Sequence, residues 1–332
     1  MKKDKHLQYK VDISAPGKLM LFGEHAVVYG KPCIVTAVNQ RMRVRIITTK
    51  DLVIELTAPE VEIKNFRADI TIPLNELPKG ARFVFTAVKN FFKEYKVSSG
   101  LMIETKSDFS SSFGFGSSSA VTVCVVKGLT EIFGIKISNK KLFDICYKTV
   151  LDVQGVGSGF DIAAAIWGGT LYFVGGGKKI TQISKGSLPL IVGYTGVKAD
   201  TATLVKKVAE LKKLRPKLVN SIFESIVLIV ENAKKLLENG DYEELGNLAN
   251  LNQGFLDALG VNTSELSSLI YATREAGAFG AKLSGAGGGD CMIAFCPNSK
   301  KIKVQNSIKK AGGTVIQIQT NAPGVKIERM FT

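Results

Sequence analysis

The chain has 332 residues, with 44 Lys and Arg against 29 Asp and Glu, a formal charge of +15, 45% apolar content and 22% charged residues. This balance describes a folded chain of one large or two ordinary domains and excludes a disordered polyelectrolyte. The charge alone would suit nucleic acid, but the lysines are scattered, with Lys2, Lys3 and Lys5 forming the only dense terminal cluster. Few aromatics lie among them, so a solvated basic surface that attracts small anions is expected rather than a nucleic-acid partner.

Five cysteines without a Cys-x-x-Cys pair read as buried thiols of a reducing compartment, and two histidines leave little room for a His-based zinc site. No apolar stretch follows the N-terminus and no run approaches the ~20 residues of a membrane span. A cytoplasmic protein without a membrane partner is expected.

Along the first half, residues 10–13, 33–38, 42–48, 53–56 and 101–104 read as strands, and 81–95 as a helix. Residues 70–78 are polar and turn-rich and predict a connection to a substrate-side flap. Residues 117–133 carry valines that favour a strand, but their length and their leading serines predict a capped helix. In the second half, Pro216 opens and Gly240 closes a long amphipathic helix. Further helices are predicted over 201–213, 242–259 and 264–276, with strands over 188–193, 291–296 and 314–319. A boundary falls after the glycine turn at 175–177, giving domains 1–183 and 184–332.

Four segments carry chemistry. In the loop 114–119, Gly114 and Gly116 let the backbone approach a ligand, while Ser117, Ser118 and Ser119 begin a helix whose free N–H groups and dipole suit a polyphosphate. A serine-rich helix cap that binds nothing is the alternative. Near the start, Pro16-Gly17-Lys18 places an ammonium among apolar neighbours, which implies an anionic partner. A structural pair with Glu24 is the other reading, and His25 on its own is as readily a structural residue. Asp161 follows the glycine turn 155–159 and precedes an alanine-rich run, so it is either a helix cap or a carboxylate at the mouth of a buried site. The fourth segment is the loop 282–290, with Ser284, Gly285, Ala286 and Gly287 at its centre. No Gly-x-x-x-x-Gly-Lys-Ser/Thr or strand-following Gly-x-Gly-x-x-Gly motif is present.

These four segments, in this order and at these separations, resemble the GHMP kinase family over nearly the whole chain. The likeness is greatest at 15–30 and extends to 252–260, 195–198 and 324–328. It implies an α+β fold of two domains, an N-terminal nucleotide-binding α/β domain and a C-terminal ferredoxin-like domain, with ATP and Mg²⁺ as cofactors. By position, Asp161 would take the proton from an acceptor hydroxyl and Lys18 would stabilise the alkoxide and the transferring phosphoryl group. Gly114, Gly116, Ser117, Ser118 and Ser119 would cradle the phosphates, with Ser118 on Mg²⁺. Glu24, His25, Ser284, Gly285, Ala286 and Gly287 would bind the substrate. The segments at 15–30 and 252–260 favour mevalonate, phosphorylated at its primary hydroxyl, as the acceptor. The resemblance leaves a homodimer open.

The chain departs from the pattern of the mevalonate-using branch in three places. A glutamate that helps to hold the metal is replaced by Val150, with Asp152 the nearest carboxylate. The segment 108–112 stands where a proline usually precedes the central glycine loop. The run 157–161 and Asp290 are more like enzymes acting on 5-phosphomevalonate, which makes that compound the alternative acceptor. A member of the same scaffold without activity is a further class, and retention of both Lys18 and Asp161 argues against it.

Overall fold

A computed structural model describes residues 9–184 and 186–331, so the lysine cluster at positions 2, 3 and 5 lies outside the described residues. The first part of the chain runs β1 (Lys10–Phe22), β2 (Pro32–Thr49), β3 (Val53–Ala58), β4 (Ile63–Asp69), α1 (Arg82–Tyr95), β5 (Gly100–Ser107), α2 (Ser117–Phe133), α3 (Asn139–Gln154), α4 (Phe160–Trp167), β6 (Thr170–Val174) and β7 (Lys179–Ser184). The second runs β8 (Leu190–Tyr194), α5 (Thr201–Leu214), α6 (Pro216–Asn239), α7 (Tyr242–Ala258), α8 (Ser264–Glu275), β9 (Gly280–Ser284), β10 (Cys291–Phe295), α9 (Lys301–Lys310), β11 (Thr314–Ile316) and β12 (Lys326–Phe331).

The first sheet has the order β12-β1-β2-β5-β3-β4, with β6 on the first half of β2 and β7 beside β6. The two strands predicted over 33–38 and 42–48 are a single strand, because the polar residues between them form a bulge rather than a turn. Pro16 pairs with Arg41 and Gly17 with Val38, so β2 carries the excess residues. Bulges bend a strand and re-aim its side chains. Here the bend brings β1 against the central glycine loop, where the Lys18 N–H donates to Phe115 O at 3.0 Å. Gly17 permits that approach, since a Cβ there would lie 3.2 Å from Phe115 Cβ.

Helix α2 forms over its whole predicted length. Ala120, Val123, Val125, Val126 and Leu129 are all 0% exposed, so burial against the sheet overrides the valines' preference for strands. The second sheet, β11-β8-β10-β9, is antiparallel throughout. Its strands stand in the order fourth, first, third, second, with helices between β8 and β9 and α9 between β10 and β11, which is the expected ferredoxin-like arrangement.

The first sheet runs in sequence to Ser184 at the end of β7 and then takes in the last strand, since β12 returns to pair with β1. Arg41 fastens this return. It donates to Pro323 O, Gly324 O, Ser14 O and the Ser14 hydroxyl, which in turn donates to Glu328 Oε1 at 2.6 Å. All five cysteines are free and buried, and no helix among the described residues is long and apolar enough to cross a membrane.

Candidate active site

Two cavities meet at the N-terminus of α2. The first, about 350 Å³, is lined by Lys18, His25, Gly114, Gly116, Ser117, Ser118, Val150, Asp161, Lys198, Gly285, Ala286 and Asp290 among others. The second, about 450 Å³, has an apolar wall of Met42, Val61, Phe83, Val84, Phe109 and Val121 together with the polar Glu60, Lys79, Thr105 and Ser107. Ser111, Ser117, Ser118, Gln154 and Lys198 border both.

The serines at that junction follow from local backbone chemistry. Gly116 caps α2 in the left-handed conformation and offers no side chain. The N–H groups of Ser117, Ser118 and Ser119 have no protein acceptor among the described residues. Unpaired first-turn N–H groups at the positive end of a 17-residue helix form an anion site. Gly114 has φ +67° and packs on Asp290, whose carboxylate oxygen would lie 2.5 Å from an added Cβ.

Lys18 is 8% exposed. Its Nζ donates to Gly114 O at 2.7 Å and lies 5.2 Å from the centre of the Phe160 ring. The alternative pairing with Glu24 does not form. Burial pulls the Lys18 ammonium below the ordinary lysine range, opposed by the charges of Asp161, Asp290 and Glu24. The site therefore holds one buried cation beside three cavity-lining carboxylates, Glu24, Asp161 and Asp290, with Gly116 packed between Lys18 and Asp161.

Asp161 does not cap α4. Gly159 holds the cap position and Asp161 lies in the first turn, with its Oδ2 accepting from the Ser119 hydroxyl at 2.6 Å. Ser119 thus orients the carboxylate and is absent from the lining of either cavity, so its hydroxyl is spent on Asp161 rather than offered to phosphate.

His25 Nε2 lies 2.9 Å from Ala286 O. A carbonyl only accepts, so Nε2 carries the proton, and burial keeps the imidazole pKa below its ordinary value despite that bond. Glu24 borders the cavity as expected, but its carboxylate is committed to an ion pair. Its side chain is 0% exposed and bonded to Lys282, also 0% exposed, so the carboxylate faces the protein.

Of the last glycine loop, Gly285, Ala286 and Asp290 line the cavity. The Ser284 hydroxyl donates to Met20 O at 2.9 Å. Gly287 lies against the Val261 carbonyl, 2.2 Å from where a Cβ would stand, and Ser284 and Gly287 are therefore structural. Gln253 supports this loop from α7, with the Leu283 N–H donating to Gln253 Oε1 at 2.9 Å. Sequence reasoning missed the bond of Ser119 to Asp161, Phe160, the pairing of Lys282 and the double position of Lys198. Lys282 carried a signal, a lysine inside an apolar strand.

For the metal, the departure at position 150 is real: Val150 is buried and lines the first cavity. Asp152 offers no substitute. Its Oδ2 accepts from Lys148 Nζ at 2.6 Å and Asn90 Nδ2 at 2.9 Å, and it lines neither cavity. No group of three or more His, Cys, Asp or Glu among the described residues could hold a metal ion unaided. Oxygen donors at the junction are Ser111, Ser117, Ser118 and Gln154, with Asp161 on the wall of the first cavity. That set fits Mg²⁺, which keeps several waters and takes few protein ligands beside substrate phosphates.

Comparison with known proteins gives the same picture. The model for "GHMP kinases N terminal domain" matches residues 82–169 and that for "GHMP kinases C terminal" matches residues 233–314. A mevalonate kinase of Pyrococcus furiosus is 37% identical over 97% of this chain and 99% of its own. One of Saccharolobus solfataricus is 30% identical over 95% of this chain and 98% of its own. The solved structure of L. major mevalonate kinase with R-mevalonate superposes with a TM-score of 0.76 at 25% identity, covering 93% of this chain and 95% of that one. With both domains matched and relatives this similar over their full lengths, the chain belongs to the GHMP kinase family, in the branch that holds the mevalonate kinases.

Proposed function

We propose that the chain transfers the γ-phosphoryl group of ATP to the primary hydroxyl of mevalonate. The observation that carries this reading is the junction of the two cavities at the unpaired N–H groups of α2, with Asp161 and Lys18 on one side only. The triphosphate lies along the helix start, the nucleoside enters the second cavity, and the acceptor occupies the cavity lined by Asp161, Lys18 and His25. The predicted turn at 70–78 leads into Lys79 and Gly80, which border the second cavity, so it serves the nucleoside side rather than the acceptor side.

Asp161 accepts the hydroxyl proton as the acceptor oxygen forms its bond to the γ-phosphorus and the bond to the β-phosphate oxygen breaks, releasing ADP. The Ser119 hydroxyl holds the carboxylate for that transfer. Lys18, fixed by Gly114 O, meets the charge that builds on the alkoxide and the equatorial phosphoryl oxygens. Phosphoryl transfer asks mainly for positioning and charge stabilisation, and these residues supply both. Ser118, aided by Asp161 and the phosphates themselves, would hold Mg²⁺, whose charge neutralises the phosphates when it is bound.

The test is ADP release by purified protein. It should require mevalonate, ATP and a divalent cation together, and ³¹P NMR should show a new phosphomonoester on the primary carbon. ADP release that is indifferent to mevalonate would refute the reading.

A further inference from the structure

Glu24 and Lys282 are the most deeply buried charges near the site, and no step of the transfer uses them. Both side chains are 0% exposed, and Lys282 Nζ donates to Glu24 and to Leu283 O, the latter at 2.6 Å. Burial pushes the Glu24 pKa up and the Lys282 pKa down, while their mutual attraction opposes both shifts. Buried ion pairs recover their desolvation cost poorly, and apolar pairs of similar volume often serve stability as well or better. Stability therefore does not explain the pair.

Its location does. Three ties join the end of β1 and its following turn to β9 and its following loop: Ser284 Oγ to Met20 O at 2.9 Å, His25 Nε2 to Ala286 O at 2.9 Å, and Lys282 to Glu24. One side of this seam carries Lys18 and His25, and the other carries Gly285 and Ala286, all lining the acceptor cavity. His25 is held at φ 59°, ψ −45°, a conformation that a non-glycine residue keeps only when its surroundings over-determine it. The residue before it is Glu24, so the ion pair and the bond of His25 to Ala286 O hold the strained residue and its neighbour on the same seam.

We propose that the Glu24–Lys282 pair is a positioning device for the acceptor half of the site. It holds the turn after β1 against β9 of the other sheet, keeps His25 in its strained conformation, and thereby fixes Lys18, His25 and Ala286 relative to one another. Glu24 touches no substrate. The proposal rests on the phosphoryl-transfer reading above.

Wild type, Glu24→Gln, Lys282→Met and the double variant Glu24→Met/Lys282→Met are compared by thermal unfolding and by steady-state kinetics. Each single change strands a buried polar or charged group and should lower Tm, whereas the double change removes both charges and should recover most of the loss. The recovered double variant should still show an acceptor KM raised about tenfold or more, with the KM for ATP within about twofold of wild type, because misplacement alone is costly in a pre-organised site. Glu24→Asp keeps the charge but shortens the arm, and should raise the acceptor KM about fivefold without a large change in Tm.

Recovery of both Tm and acceptor KM in the double variant would make the pair merely structural and overturn the proposal. If the double variant does not fold, Glu24→Asp with wild-type kinetics overturns it equally. Wild-type protein without acceptor-dependent turnover would remove the underlying reaction, whereas turnover in wild type with unaffected variants would remove the positioning role alone.

Discussion

Asp161→Asn is expected to lower kcat by a factor on the order of 10²–10⁴, the range for losing a general base. The substitution is isosteric, and the Ser119 hydroxyl, now 2.6 Å from Oδ2, can bond to the amide through either its oxygen or its NH₂. The fold and the KM for ATP should therefore change little, since the phosphates rest on α2 rather than on this side chain. What is lost is the basic oxygen that receives the hydroxyl proton. Gly159 and not Asp161 holds the cap position of α4, and the one further bond of the carboxylate, from the Ile162 N–H to Oδ1 at 3.1 Å, can be kept by the amide oxygen if the Ser119 hydroxyl turns to accept from the new NH₂. Circular dichroism and Tm on the same sample check the fold, and near-normal turnover in a folded variant would remove Asp161 from the reaction.

Lys18→Met should lower kcat by roughly 10²–10³, the scale for removing one pre-organised group that meets developing transition-state charge. Methionine fills the stem's volume without the ammonium, but leaves Gly114 O without its donor, 2.7 Å away in the native protein. Some loosening of the central loop should accompany the kinetic loss and appear as a raised KM for ATP. The pH profile gives an independent reading. Burial lowers the Lys18 pKa, so the reactive ammonium is present below that lowered value and is lost as pH rises through it. The alkaline limb of kcat/KM should therefore fall below the ordinary lysine range near about 10.4. Loss of that limb in Lys18→Met would assign it; its persistence unchanged would assign it elsewhere.

The phosphate site was legible in the sequence because its parts are local: glycines that free the backbone and serines that begin a helix are adjacent residues, and the helix formed over its predicted length. The carboxylate at Asp161 was also visible, though its two readings could be separated only by the cap geometry. What the sequence concealed depends on contacts between distant segments. Glu24 and Lys18 are six positions apart and suggested a pair, yet Glu24 found its partner 258 residues away. The Ser119 bond to Asp161 likewise spans 42 residues, so a serine expected to hold phosphate holds the base instead. Within the last glycine loop, Ser284 and Gly287 matched the motif as well as Gly285 and Ala286, and only packing on Met20 and Val261 distinguishes lining from support. Strand β12 was missed for another reason. Its residues are exposed along their whole length, leaving no buried face for periodicity to reveal. The bulge in β2 was misread because polar residues inside a strand look like a turn when their pairing partners are unknown.

Charge decides between the two acceptors. A phosphorylated acceptor needs charge-assisted bonds from additional Lys or Arg side chains. Among the described residues lining the acceptor cavity the cations are Lys18, already bonded to Gly114 O, and Lys198, and no arginine is present. Facing them are Asp161 and Asp290, the latter with burial raising its pKa and the Ala199 N–H, Lys18 and Lys198 opposing that rise. Such a wall accepts one carboxylate and a hydroxyl more readily than a second phosphate. The direct measurement is kcat/KM for mevalonate and for 5-phosphomevalonate with the same purified protein at saturating Mg-ATP. Mevalonate should be preferred by at least about 10²-fold, equivalent to about 2.7 kcal/mol of differential transition-state binding. Equal use of the two compounds, or a preference for 5-phosphomevalonate, would contradict the account.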